Sequence, residues 1–347
     1  MVTITVVIAT RNRASLLHAA LEQLRHQLYE SDDEVIVVDN ASTDATAEVI
    51  TRVADGFPVP LYRLCEAAEG KTPALNAGLA AARGDVLALT DDDVLVGEHW
   101  IRDLRTAFEG STLDLAGGRV DPGWERTPPR WLRVEGADRY EHMASPLALL
   151  HYGARQNLGV RAVLGANMAF RRTVLRRLGG FAPEFNRRSN SLLSGDDHDF
   201  CERAVAAGFH CEYLPELRVR HRVPAERARL RYFLRWFYSS GATQAMLDRR
   251  PLMAPASGTM SRHYLRRLLT APVSVLWSTL GGQLGDAAAA AMDGAFAAGY
   301  LTERIRNPDD NKRGATDAAV RAVPSMAAAS PPGALAQADQ KEMGKAG

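Results

Sequence analysis

Residues 2–90 alternate between short apolar runs and stretches with helical periodicity. Val2 to Ile8 is rich in β-branched residues, and Leu17, Ala20, Leu21, Leu24 and Leu28 then recur three and four apart, the spacing of one helix face. Glu34 to Val38 is a second strand signal, closed by Asp39. Ser42 or Thr43 can cap the next helix, with Asp44 near its positive end. Val59 to Leu64 reads as a third strand. Thr72-Pro73 opens another helix, Gly84 is its C-cap signal, and Val86 to Thr90 is a fourth strand. Strands that are apolar almost throughout, each followed by a helix, predict an α/β fold with a mostly parallel sheet covered on both faces. Ligands of such sheets bind beyond the carboxyl ends of the strands, where Thr10, Asp39 and Asp91 to Asp93 fall.

A chain of 347 residues suggests about two domains. The formal net charge of +1 gives no overall field that would draw nucleic acid. Cys65, Cys201 and Cys211 show no metal-ligand spacing and suit a reducing compartment as inert thiols. The apolar N-terminus has no preceding basic region, so it is expected to be a first strand rather than a leader. No apolar run is long enough to span a membrane.

Residues 111–160, with Pro122, Trp124, Pro128, Pro129 and Trp131, read as a loop-rich insertion. Val163 to Phe170 is a further strand, Val174 to Leu178 a short helix, and Asp197 to Ala207 a helix closed by Gly208. Cys211 to Leu214 and Leu217 to Val219 are strand-like. The expected organisation is a catalytic domain over 1–224, a helical extension over 225–306 and a disordered tail over 307–347, where large apolar residues nearly vanish.

Asp91-Asp92-Asp93 carries the chemistry. Adjacent carboxylates repel unless a cation intervenes, and a hard divalent ion such as Mg²⁺ or Mn²⁺ can bridge them to a phosphate. Asp39, alone, is as easily a helix cap as a ligand for a base or ribose. Asp197 sits in a second acidic cluster, Gly195 to Asp199, and can serve as a general base or as a cap. His221 is a candidate further metal ligand, and Lys71 a point charge for phosphate.

Taken in order, several segments resemble the family 2 glycosyltransferases of GT-A fold, a Rossmann-like architecture. They are Val6 to Arg13, Val37 to Asp44, Gly70-Lys71 with Asn76, Thr90 to Asp93, Gly165 to Phe170, Leu178 to Phe181, Gly195 to Asp197, and His221 after Pro215. The resemblance covers roughly residues 2–225. It implies an inverting enzyme that uses Mn²⁺ or Mg²⁺. Its donor would be a nucleotide-sugar, UDP-linked in the first instance. Its acceptor would be a hydroxyl of a polysaccharide, glycolipid or other glycoconjugate.

By the same resemblance Thr10, Arg11, Asp39, Lys71, Asn76, Asp91 and Asp92 hold the nucleotide-sugar. Asp93 and His221 hold the metal, with Asp92 open as a direct ligand. Asp197 is the base, and Gly165, Ala166, Asn167 and Asp196 form the acceptor or active-site loop. Asp196 departs from the family pattern, which usually has glutamate there, so the contacts of that position are open. A phosphatase of the HAD-like type, prompted by Asp91 to Val94, and a non-catalytic nucleotide-sugar binding module are the alternatives. Trp124, Trp131, Tyr140 and Tyr152 could stack on a sugar. The basic, amphipathic stretch from Arg262 to Leu269, followed by apolar residues to Leu284, suggests a cytoplasmic enzyme in peripheral contact with the inner face of a membrane.

Overall fold

A computed structural model describes residues 1–134, 143–159, 161–186, 192, 195–248 and 259–307. Tyr140 and the tail from Pro308 onward lie outside the described residues. Met1–Asn307 is one compact unit.

The first half alternates as its apolar pattern requires. β1 (Ile4–Thr10), α1 (Ala14–Arg25), β2 (Glu34–Asp39), α2 (Thr46–Ala54), β3 (Leu61–Cys65), α3 (Lys71–Ala81) and β4 (Val86–Asp91) follow in sequence. Val6, Val7, Ile8, Val35 and Val37 have no exposed surface, because helices cover both faces of strands whose side chains alternate direction. Two local expectations shift. α1 ends at Arg25 and leaves Leu28 exposed, and α2 begins at Thr46, whose backbone N–H donates to the Asp44 carboxylate at 3.1 Å. Ser42 instead accepts from the Asn12 N–H at 2.9 Å, lacing the loops after β1 and β2 together.

The second half supplies β5 (Val94–Val96), α4 (Trp100–Phe108), β6 (Leu115–Trp124), β7 (Gln156–Asn157), β8 (Asn167–Arg171), α5 (Arg172–Leu178), α6 (Asp196–Ala206) and β9 (Cys211–Val223). The described residues form a nine-stranded sheet in the order β3-β2-β1-β4-β8-β6-β9-β5, with β7 alongside β9. The strands β3-β2-β1-β4 are parallel, whereas β8 runs antiparallel to both β4 and β6. Strand order reverses between β1 and β4, the crevice where open sheets of this type bind ligands.

The supposed insertion therefore begins with a ten-residue strand of the sheet. Gly117, Gly118 and Pro122 disguise it in the sequence. A Cβ on Gly118 would lie 1.9 Å from the Leu217 carbonyl oxygen, so the close approach of β9 demands glycine there. The two strand signals after Cys211 are likewise one strand, β9, with a register break: Gly118 pairs with Leu214 but Arg119 pairs with Arg218.

Three helices complete the unit, α7 (Leu230–Leu247), α8 (Thr259–Leu280) and α9 (Leu284–Arg306). Tyr300 on α9 donates to Asp248 at 2.8 Å, and Gly241 and Gly299 let α7 and α9 approach at backbone distance. None of the helices among the described residues is long and apolar enough to cross a membrane.

Candidate active site

The carboxyl ends of the central strands lie level. Thr10 is opposite Asp39 across β1 and β2, and Ala9 is opposite Asp91 across β1 and β4. An open cavity of about 720 Å³ sits over these ends, a size that suits a nucleotide-sugar. Thr10, Arg11, Lys71, Asp91, Asp92, Asp93 and His221 line it, together with Arg13, Asn40, Arg227, Tyr232 and Arg235.

The three consecutive aspartates do different work. Asp91 closes β4 and takes the Lys71 ammonium at 2.8 Å. Asp92 is buried, and both of its oxygens are engaged, one by the Thr10 hydroxyl at 2.8 Å and the other by Arg13 at 2.8 Å. Burial pushes its carboxyl up to about 6. These bonds anchor the end of β4 to the end of β1 while Asp92 still borders the cavity. Asp93 accepts from the same Arg13 nitrogen, Nη1, at 2.9 Å and faces His221 Nε2 at 3.3 Å. Burial would raise its pKa, but His221, Arg13 and Arg227 outweigh that and hold it well below the usual carboxylate range.

β5 and β9 bring His221 there. Val94 pairs with His221, and the Arg222 N–H donates to the Asp93 carbonyl at 3.0 Å. The imidazole is buried, and its Nδ1 has no hydrogen-bond partner among the described residues.

Lys71 pairs with Asp91 and also feels the charges of Asp197 and Asp196. Burial would lower its pKa, but Asp91, Asp197 and Asp196 together outweigh burial and raise it, so the lysine stays charged. Asp197 lies in the first turn of α6 with Asp196, where the helix N-terminus favours anions. Burial, reinforced by Asp196 and opposed by Lys71, pushes the Asp197 carboxyl up to about 7. Its Oδ1 is buried without a hydrogen-bond partner among the described residues. Gly165 makes room for it, since a Cβ there would stand 2.7 Å from that oxygen.

The family pattern of glycosyl transferase family 2 matches residues 5–179, half of the chain. The chain belongs to glycosyl transferase family 2. It is 27% identical over 208 residues to glycosyltransferase AglE of Haloferax volcanii, covering 59% of this chain and 62% of AglE. Glucosyl-dolichyl phosphate glucuronosyltransferase of the same organism is 26% identical over 282 residues, covering 77% of this chain and 83% of that protein. Pre-mycofactocin glycosyltransferase of Mycobacterium tuberculosis is 30% identical over 223 residues, covering 63% of this chain and 42% of that protein. The matches thus span less than two thirds of AglE and less than half of the mycobacterial protein. Among solved structures, the mannosyltransferase PcManGT of Pyrobaculum calidifontis, in complex with GDP-Man and Mn²⁺, superposes with a TM-score of 0.55 at 22% identity. That superposition covers 90% of this chain and 87% of PcManGT, and shows the shared GT-A fold.

Not every expected residue of this glycosyltransferase-family chain faces the cavity. Asn76 is spent on the backbone of Phe181, donating at 2.9 Å and accepting at 2.8 Å. Asn167 donates to the carbonyls of Arg119 and Leu217 and accepts from the Trp100 indole. Ala166 is buried beside it. These residues brace the site and do not line it, because their amides complete bonds that burial would otherwise leave unmade.

Asp39 is also buried, with Arg63 on one oxygen at 2.7 Å and the Ser42 N–H on the other at 3.0 Å. Burial acts to raise its pKa, but Ser42 and Arg63 outweigh it and hold the carboxyl below its ordinary value. Its neighbour Asn40 lines the cavity instead and accepts from the Gly70 N–H at 2.9 Å.

The aromatic residues of the insertion have packing roles. Trp131 meets Phe233 edge-on at 5.1 Å, Tyr152 packs on Tyr213 at 5.2 Å, and Trp124 lies against the core. Arg13, Asn40, Arg227, Tyr232 and Arg235 are cavity residues that the sequence did not single out for the site. Arg13 lies inside the first matched segment, where its spacing from Thr10 was the available signal. Arg235 lies in the extension expected over 225–306, outside the segments that carry the resemblance.

Proposed function

We propose that this chain is an inverting glycosyltransferase that moves a sugar from a nucleoside-diphosphate donor to a hydroxyl of a glycan or lipid-linked acceptor. The observation that carries the reading is Lys71, which pairs with Asp91 at the sheet's switch point at 2.8 Å and couples electrostatically to Asp197 on α6. One lysine thereby joins the place where a diphosphate would sit to the group that would take a proton.

The lining suits a diphosphate. Five basic side chains, Arg11, Arg13, Lys71, Arg227 and Arg235, outnumber the three aspartates. Arg11 and Arg13 are already paired, with Glu69 at 2.9 Å and with Asp92 and Asp93. Arg227 and Arg235 have no ion pair among the described residues and would meet the negative charge that develops on the leaving group.

The fold family implies a divalent cation, and the residues fit one. Asp93 and His221 offer a carboxylate and an imidazole side by side, both facing the cavity. No group of three such ligands occurs among the described residues. This suits Mn²⁺ or Mg²⁺, which take one or two protein ligands and complete their shell with substrate phosphate and water. The ion would supply Lewis-acid stabilisation of the departing diphosphate.

Asp197 would deprotonate the acceptor hydroxyl as its oxygen attacks the anomeric carbon from the face opposite the diphosphate. The C–O bond to the acceptor forms as the bond to the diphosphate breaks, and the anomeric configuration inverts. A carboxyl poised near 7 is ionised enough to accept and basic enough to hold the proton. The test is a thermal-shift panel of UDP-, GDP- and dTDP-sugars with and without Mn²⁺. A metal-dependent rise in Tm with one donor is expected, because ligand bound to the native state stabilises it. No rise with any donor overturns the reading.

A further inference from the structure

α8 carries two apolar edges, and only one is covered. Tyr264 packs its ring 4.1 Å from that of Tyr300, and Ala271 meets Gly294 of α9. Leu268 joins the same small cluster. Turned away from α9 are Leu265, Leu269, Val273, Leu276, Trp277 and Leu280, which are 49–79% exposed. At 100° per residue these six fall within an arc of about 120°, a continuous stripe along the helix. Single exposed apolar residues are ordinary, but a stripe that ends in a tryptophan and leucines marks an interaction surface.

Charge decides what fits the stripe. α8 contains no aspartate or glutamate. Arg262 and Arg266 are exposed at its N-terminal end and fall within the same arc. Arg267, by contrast, turns toward α9 and pairs with Asp293 at 2.7 Å. A second copy of this face would bring no carboxylate from α8 to Arg262 and Arg266. Residues 308–347 hold few large apolar side chains to cover the stripe.

We propose that the outward face of α8 is a docking surface for an anionic lipid bilayer, with Leu269, Val273, Leu276, Trp277 and Leu280 entering the headgroup and acyl boundary and Arg262 and Arg266 meeting acidic headgroups. The helix lies in the plane of the interface. It is too short of continuous apolar sequence to span the bilayer. Trp277 suits this depth, because indole combines an apolar body with a polar N–H. The proposal does not rest on sugar transfer, because it concerns a face of the extension that lines no part of the cavity.

The test is sedimentation of the full chain with vesicles of phosphatidylcholine alone or with about three parts in ten phosphatidylglycerol. Binding to the anionic vesicles is expected, with at least a tenfold loss in the Leu269→Glu/Trp277→Glu variant. Arg262→Gln/Arg266→Gln is expected to weaken binding and remove most of its salt dependence. All four side chains are exposed or half-exposed, and an unchanged Tm verifies that the variants fold. Absence of binding to anionic vesicles overturns the proposal, as does equal binding by the glutamate variant. A concentration-dependent dimer that the glutamate variant abolishes would assign the face to a second copy and overturn it too.

Discussion

Replacing Asp197 by asparagine keeps the side chain's shape and removes its proton-accepting charge, with opposite effects on rate and stability. Loss of a general base lowers kcat/KM by about 10²–10⁴-fold, equivalent to about 3–5 kcal/mol of barrier. Stability moves the other way. The carboxyl is raised from 3.8 to about 7 by burial and by Asp196, so the folded chain holds that proton more tightly than the unfolded chain does. Native stability therefore falls as pH climbs from about 4 to about 7 and levels off above that, where the folded state carries an ionised carboxylate it disfavours. Three pKa units at 1.36 kcal/mol each set an upper bound of about 4 kcal/mol. That shift is already net of the attraction of Lys71, and the amide donor that asparagine buries without a partner reduces the gain to ~1–3 kcal/mol. At about 2–4 °C per kcal/mol, the variant melts ~2–12 °C higher at pH 8 and gains much less at pH 5. Differential scanning fluorimetry at the two pH values, paired with release of the nucleoside diphosphate at pH 8, reads both effects. Near-normal transfer by the variant would refute the base. An equal Tm difference at both pH values would refute the burial argument.

Lys71→Met removes the cation that opposes the rise in the Asp197 pKa, so the acid limb of the kcat/KM profile should move above 7, read from initial rates across pH. Arg235→Gln, on the exposed wall of the cavity, should raise the donor KM by roughly tenfold or more while leaving Tm unchanged, since a charge-assisted hydrogen bond contributes about 1.5–3 kcal/mol. Asn76→Ala should do the reverse. It orphans the Phe181 N–H and carbonyl and lowers stability by about 1–3 kcal/mol in denaturant melts, with the donor KM unaffected.

The central parallel strands were legible because their burial on both faces forces unbroken runs of Val, Ile and Leu, and because each run ends at a polar residue that the switch point uses. β6 was not, since Gly117, Gly118 and Pro122 interrupt its apolar pattern, the two glycines because a Cβ would meet Val163 at the first and the Leu217 carbonyl of β9 at the second. β5 is three residues long, too short for any periodicity to register. Within the site, position was legible but partnership was not. Asp92 and Asp93 are neighbours in sequence, yet only the fold shows that Thr10 claims one and His221 the other. Asn76 and Asn167 stand in matching segments for reasons of bracing, which residue identity alone does not separate from binding. Arg227, Tyr232 and Arg235 arrive from beyond the expected 224/225 boundary, and their contribution depends on how the chain turns back after β9.

The break in register between β6 and β9 sets the phase of everything downstream of it. Pro215, Glu216 and Leu217 are passed over by the ladder, and beyond them Val219, His221 and Val223 point inward while Arg218, Arg220 and Arg222 point out. That interruption works as a spatial reading frame. Deleting one residue among 215–217 would exchange the two sets, presenting arginines to the core and turning the imidazole to solvent. A deletion of two residues would preserve the alternation. Loop-length variation at this point is therefore an all-or-none matter of odd and even, and it could silence the centre without altering a single side chain in it.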